Sequence, residues 1–295
     1  MYHVITGTDT SSEQLIGNTI VQYDVSFERV DISTLAGLEY RDASTQDSSV
    51  YGLTTRINID NPVYSGAPTI GAPYSQNDQD DTTTSIFIQQ NLSLDDRYII
   101  TLGIRHDYMD LANRDITGND ASDEFSETSL RGALTFKVND EWSTYISQVE
   151  SVAPPSIGVK PERGEQVEVG VKFAPIRMNA LFTAAAYDLE KNDVTMAIVQ
   201  DDGTIERETI GKSRVKGLDL EMKAEITERF NVTGGYSYMK SEVVRSDALS
   251  DGTVVEGNEF ASAPNHSASL WGYYTLPNKK DGCGIRYSLY RSLLF

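Results

Sequence analysis

Any metal, acid–base or nucleophilic chemistry in this 295-residue chain would have to be built from few parts. Its three histidines, His3, His106 and His266, are far apart and in none of the spacings that place two imidazoles on one face. His106 continues an apolar face at a strand end, and His266 follows Pro264-Asn265 at a strand start, so both read as interfacial or turn residues rather than ligands. The single cysteine, Cys283, excludes an intramolecular disulfide and a multi-thiolate zinc site, and Gly282-Cys283-Gly284 reads as a turn entering a strand. Carboxylate pairs such as Asp95-Asp96 and Asp201-Asp202 sit in turn contexts, where Asp bonds its own backbone. No nucleophile elbow, Walker loop or dinucleotide fingerprint occurs. No catalytic residue, metal ligand or resident cofactor is therefore assigned.

The charges that do form a pattern are interleaved with apolar residues. Glu168, Lys172, Asp219, Glu221, Lys223 and Arg214 fall in segments of period-two alternation, which sorts side chains onto two faces of a strand. In the clearest of these, Leu218, Leu220, Met222, Ala224 and Ile226 alternate with Asp219, Glu221, Lys223 and Glu225. Tyr98, Ile100, Leu102 and Ile104 oppose Thr101, Gly103, Arg105 and Asp107, and Val167, Val169, Val171 and Phe173 oppose Gln166, Glu168, Gly170 and Lys172. In a membrane barrel the six charges would point into a polar lumen; on a soluble sheet they would be solvated. Spacing alone leaves both open.

The elements that must position them are antiparallel strands. Roughly twelve are expected, from near Gly17–Glu28 and Ile32–Asp42 to Cys283–Tyr290. Links between them alternate in length: short at Asp95-Asp96, Asn139-Asp140, Pro175–Arg177 and Thr227-Glu228, long at 43–83, 110–127, 151–164, 191–212 and 242–263. Short periplasmic turns and long extracellular loops are the habit of outer-membrane barrels, whose tilted strands need about 10 residues to cross a bilayer. The alternatives are a soluble β-rich binding domain and a porin-like or structural barrel without specific uptake.

Composition narrows this further. With 25 Lys+Arg against 44 Asp+Glu the formal charge is −19, which repels polyanions and excludes a general nucleic-acid binder. No run of about 18 apolar residues marks a transmembrane helix, and Met1–Thr10 lacks the pattern of a signal peptide.

Two blocks carry a resemblance. Glu162-Arg163-Gly164-Glu165-Gln166-Val167-Glu168-Val169-Gly170-Val171-Lys172-Phe173 resembles the "yEvGvK" strand of TonB-dependent siderophore receptors, and Gly211-Lys212-Ser213-Arg214-Val215-Lys216-Gly217-Leu218-Asp219-Leu220-Glu221 resembles their "G-x-x-R-x-x-G-x-E-x-E" strand. The pieces Asn61–Tyr64, Thr101–Tyr108, Glu150–Pro154 and Ala263–Trp271 fall in the family's order, and the match runs from about Leu35 to Tyr287. It looks closest to the ferrichrome-type, hydroxamate branch.

The resemblance implies an all-β fold: one partial antiparallel transmembrane β-barrel domain over 1–295, with about 12 of the family's about 22 strands and with the plug domain absent. It implies residence in the Gram-negative outer membrane, a ferric siderophore as cargo, and partners in outer-membrane lipid and in the TonB-ExbB-ExbD system acting through the missing plug. Such a receptor binds and passes its ligand and is not an enzyme. Tyr51, Tyr64 and Tyr74, in the first long loop, are the candidate ligand contacts, with an interfacial aromatic girdle as the competing role. The departures point to a fragment truncated at both ends, non-functional alone.

Overall fold

The computed structural model describes residues 4–53, 69–155, 157–199, 205–246, 249–250, 253–254, 256–260, 263–277 and 281–291. Among them there is no helix. The strands are β1 (Val4–Ser26), β2 (Val30–Leu53), β3 (Thr69–Ile70), β4 (Ser75–Leu94), β5 (Tyr98–Asp115), β6 (Asp120–Lys137), β7 (Trp142–Ala153), β8 (Glu162–Phe173), β9 (Ala180–Val199), β10 (Ile205–Thr227), β11 (Phe230–Arg245), β12 (Leu249–Ser250), β13 (Thr253–Val254), β14 (His266–Thr275) and β15 (Gly282–Arg291).

Thirteen of these form one antiparallel sheet in the order β1-β2-β4-β5-β6-β7-β8-β9-β10-β11-β14-β15, with β3 added to β2, while β12 and β13 pair separately. Apart from the short β3 this is a meander, each strand beside its neighbour in sequence. No ladder among the described residues joins β1 to β15, so the sheet is open and these two are its edges.

Alternation organises the sheet's faces. Register places Val25, Ile32, Leu92, Ile100, Leu134, Ile146, Val169, Ala186, Leu218 and Tyr238 side by side, one from each of ten consecutive strands. The adjacent row on the opposite face runs Asp24, Ser33, Asn91, Thr101, Ala133, Ser147, Glu168, Tyr187, Gly217. The apolar row is not a core: Leu102 beside it is 59% exposed and Val169 within it 53%. The accessible surface of 20132 Å² exceeds the ~12,000 Å² expected of a compact chain of this mass, so no interior closes over these residues. That removes the soluble-domain alternative, in which the apolar face would pack against something.

The short links fall as expected and share one end of the sheet. At Asp95 and Asp96 both φ angles are positive (52° and 50°), and Arg97 N–H donates to Leu94 O at 2.9 Å, the mirror-image turn that suits the twist of a hairpin. Asp95 also pairs with Arg29 of the neighbouring turn at 2.5 Å, and Asp96 with Lys137 at 2.5 Å.

Three of the five long links differ from expectation. The stretch 110–127 is a hairpin with its turn at 116–119; within 43–83, β2 runs on to Leu53 and β4 starts at Ser75; within 191–212, β9 reaches Val199 and β10 starts at Ile205. The first strand likewise starts at Val4 rather than near Gly17. These runs are rich in Ser, Thr, Asp and Gln and lack alternation, which is why they read as loops. Backbone ladders do not depend on side-chain polarity, so a polar run pairs as readily as an alternating one once a partner strand lies beside it.

Candidate functional site

On the polar face, register brings Glu39 (β2), Ser85 (β4) and Asp107 (β5) into one row. Arg105, two residues before Asp107, binds all three: its Nη2 donates to Glu39 Oε1 and to Ser85 Oγ, both at 2.7 Å, and its Nε to Asp107 Oδ1 at 2.8 Å. Ser85 Oγ–H donates to Asp107 at 2.5 Å, and Ser85 is fully buried. This closed network was not among the residues singled out from sequence. Its only local signal is Arg-x-Asp on the polar face of β5; the partners come from strands that register alone supplies.

A second group lies across β7 to β11. Tyr145 O–H donates to Glu168 at 2.5 Å, Gln166 Nε2 donates to the same carboxylate at 3.0 Å, and the Lys172 ammonium stands 5.2 Å from the Tyr145 ring centre. Ser237 donates to Asp219. Gly170 is needed beneath Tyr145, since a Cβ there would lie 2.5 Å from the ring. Glu168, Lys172, Asp219, Glu221 and Lys223 thus share the polar face, as the alternation predicts. Arg214 does not: it has the parity of Leu218, stands on the apolar-face side beyond the end of the apolar row, and pairs with Asp188 and, at 3.6 Å, with Glu190. The sequence expectation for Arg214 counted its charge and not its phase.

The end opposite the short turns carries the tyrosines. Gly71 N–H donates to Tyr51 O at 2.9 Å and Tyr74 N–H to Ser49 O at 3.0 Å, so the chain carrying Tyr74 is folded back along the end of β2 that carries Tyr51. Both side chains are exposed. Tyr64 lies outside the described residues. At the same end the Asp115 carboxylate accepts hydrogen bonds from Thr117 Oγ1 (2.6 Å), Thr117 N (2.8 Å) and Asn119 N (3.0 Å), which lower its pKa from 3.8 to about 2.

His106 and His266 are held by neighbouring side chains. His106 bonds Thr128 Oγ1 at 2.7 Å and meets Tyr108 edge-on, while His266 bonds Tyr236 Oη at 2.9 Å. No group of three His, Cys, Asp or Glu among the described residues is arranged to hold a metal ion.

A family model described as TonB dependent receptor-like, beta-barrel, matches residues 3–292. The ferrioxamine B receptor of Salmonella typhimurium is 28% identical over 265 residues, 86% of this chain and 36% of that protein. The ferrichrome outer membrane transporter/phage receptor of Escherichia coli K12 is 27% identical over 280 residues, 88% of this chain and 36% of its own length. The chain therefore spans about a third of these relatives. In structure it is similar to the siderophore receptor PiuA of Acinetobacter baumannii, with a TM-score of 0.76 at 20% identity over 95% of this chain and 46% of that one.

Proposed function

Because the chain belongs to the TonB-dependent receptor-like β-barrel family of the Gram-negative outer membrane, we propose that it forms about half the wall of a receptor that carries a ferric siderophore into the periplasm. The observation that carries this reading is the apolar row of ten strands backed by a polar face, the arrangement of a wall with lipid outside and a polar lumen inside. On this reading residues 1–295 are barrel, with lipid along the Leu218–Ile226 face. The cargo on this reading is of the hydroxamate class, the branch the sequence resembles, and relatives named for ferrioxamine B and for ferrichrome support it.

Tyr51 and Tyr74 offer flat, partly apolar surfaces to such a ligand at the extracellular mouth, and Tyr64 is assigned the same role from the sequence alone. Transport consists of binding and gated passage, so no bond of the cargo is made or broken and no resident cofactor takes part. Energy comes from TonB-ExbB-ExbD through the plug of the whole receptor. The test is a full-length receptor carrying this wall, expressed in a receptor-deficient strain under iron limitation. Growth on ferric ferrioxamine B or ferrichrome, lost when TonB is deleted, is expected; growth equal to the empty vector overturns the reading.

A further inference from the structure

Among the described residues, one long ladder stops while both of its strands run on for four residues or more. β6 and β7 are paired only from Lys137↔Ser143 to Arg131↔Val149. Above that point β6 continues to Asp120, bonded to β5 alone, and β7 continues to Ala153, bonded to β8 alone. The split begins at Leu130, whose partner on β5 is Ile104, one step below the His106 and Tyr108 level. The stretch from Tyr98 to Tyr108 is about the 10 residues a tilted strand uses to cross the bilayer, so the split starts inside the membrane band, toward the extracellular side.

Side chains hold it shut. The Glu150 carboxylate accepts the Leu130 N–H at 3.0 Å in place of the missing ladder. Arg163 of β8 reaches past β7 to donate to Thr128 O at 2.7 Å and pairs with Glu127 at 3.2 Å. A strap at residues 157–161 lies across the top: Gly158, at a φ of +83° that favours glycine, donates its N–H to Asp123 of β6 at 2.8 Å, and Val159 and Pro161 are buried. Behind the split is a cavity of about 340 Å³ whose lining includes Glu39, Arg41, Arg105, Ser129, Glu150 and Ser151. The Arg41 Nε, buried there, has no hydrogen-bond partner.

We propose that residues 120–130 of β6 and 150–153 of β7 form a side gate in the barrel wall, closed by the strap and opening onto this cavity. The gate rests on the wall reading but needs none of the cargo assignment. Parting it breaks no ladder bond, only the contacts of Glu150, Arg163 and Asp123, whereas parting any neighbouring pair of strands at that level would break backbone bonds.

The test is hydrogen exchange, amide by amide, on a full-length receptor carrying this wall in dodecyl maltoside micelles. The Leu130 amide should exchange at least about tenfold faster than those of Leu134 and Phe136, which lie within the ladder. Arg163→Ala with Glu150→Ala should speed Leu130 and residues 157–161 by about a further tenfold and leave Leu134 unchanged. A disulfide between Ser129→Cys and Ser151→Cys, in a Cys283→Ser background, should slow Leu130 to the rate of Leu134, and reduction should restore it. Equal rates at Leu130 and Leu134 in the parent, a uniform acceleration in the double variant, or no slowing by the disulfide would each overturn the gate. Unprotected Leu134 and Phe136 would overturn the wall reading itself, and the gate with it.

Discussion

The membrane band and the strand extensions beyond it are built from the same ladder by opposite rules. In the band, as along Leu218–Ile226, alternate positions are apolar because one face meets lipid, and a slip of one residue would turn every side chain to the wrong face. In the extensions, as where Ala43–Ser49 pairs with Ser75–Asp81, both strands are polar at nearly every position and register is held by backbone bonds. The difference teaches that alternation reports the solvent on each face, while strand formation itself is indifferent to it.

The sharpest way to break that comparison is to put a charge in each region. Leu102→Arg, in mid-band, should cost about 2–4 kcal/mol, whereas Ala112→Arg in the extension of β5 should stay within about 0.5 kcal/mol. Denaturant unfolding of a full-length receptor carrying this wall, followed by heat-modifiable gel migration, would compare them. Equal costs would mean that the band does not face lipid.

A smaller effect is expected from the polar side of the band. Arg105→Met leaves Asp107 buried without its cation, at a cost of about 1–3 kcal/mol, and the same unfolding measurement reads it. Since the Arg105 side chain is about a third exposed, water offsets part of the loss. Arg114→Met, breaking an exposed pair with Asp120 in the extension, should cost under about 1 kcal/mol.

In a full-length receptor, Tyr51→Ala and Tyr74→Ala should each weaken ferric hydroxamate binding by about tenfold, or ~1.4 kcal/mol, in a fluorescence titration. Charge reversals within 110–127 should change it by less than about twofold, because exposed charges are screened within about 10 Å at ordinary salt. Tyrosine variants indistinguishable from the parent would remove those residues from the site and leave the family untouched.

The smallest expected effect is a pH response in the extension. Asp115 is depressed to about 2, so its ionised form is the one the turn favours. Its contribution is fully present above the ordinary value of 3.8 and is lost as pH falls toward about 2. The Thr117 and Asn119 amide chemical shifts should therefore hold steady down to about pH 4 and move below it, while Asp115→Asn should abolish the transition. A transition centred near the ordinary value would show that the hydrogen bonds are absent in solution.

Much was legible in the sequence because lipid imposes a local rule. The all-β class, the number of strands in the wall, the short turns and the faces of Glu168, Asp219 and Glu221 follow from alternation and turn residues, which neighbouring positions alone determine. What lacked a local rule was decided by tertiary structure. The polar extensions form strands only because a partner strand is there to bond them. Arg105 finds Glu39 and Ser85 only through the register of three strands, and Tyr51 meets the Tyr74 segment only where β2 ends. The β6–β7 split has no signature in either strand, since each is fully bonded on its other side; it exists only in the pair.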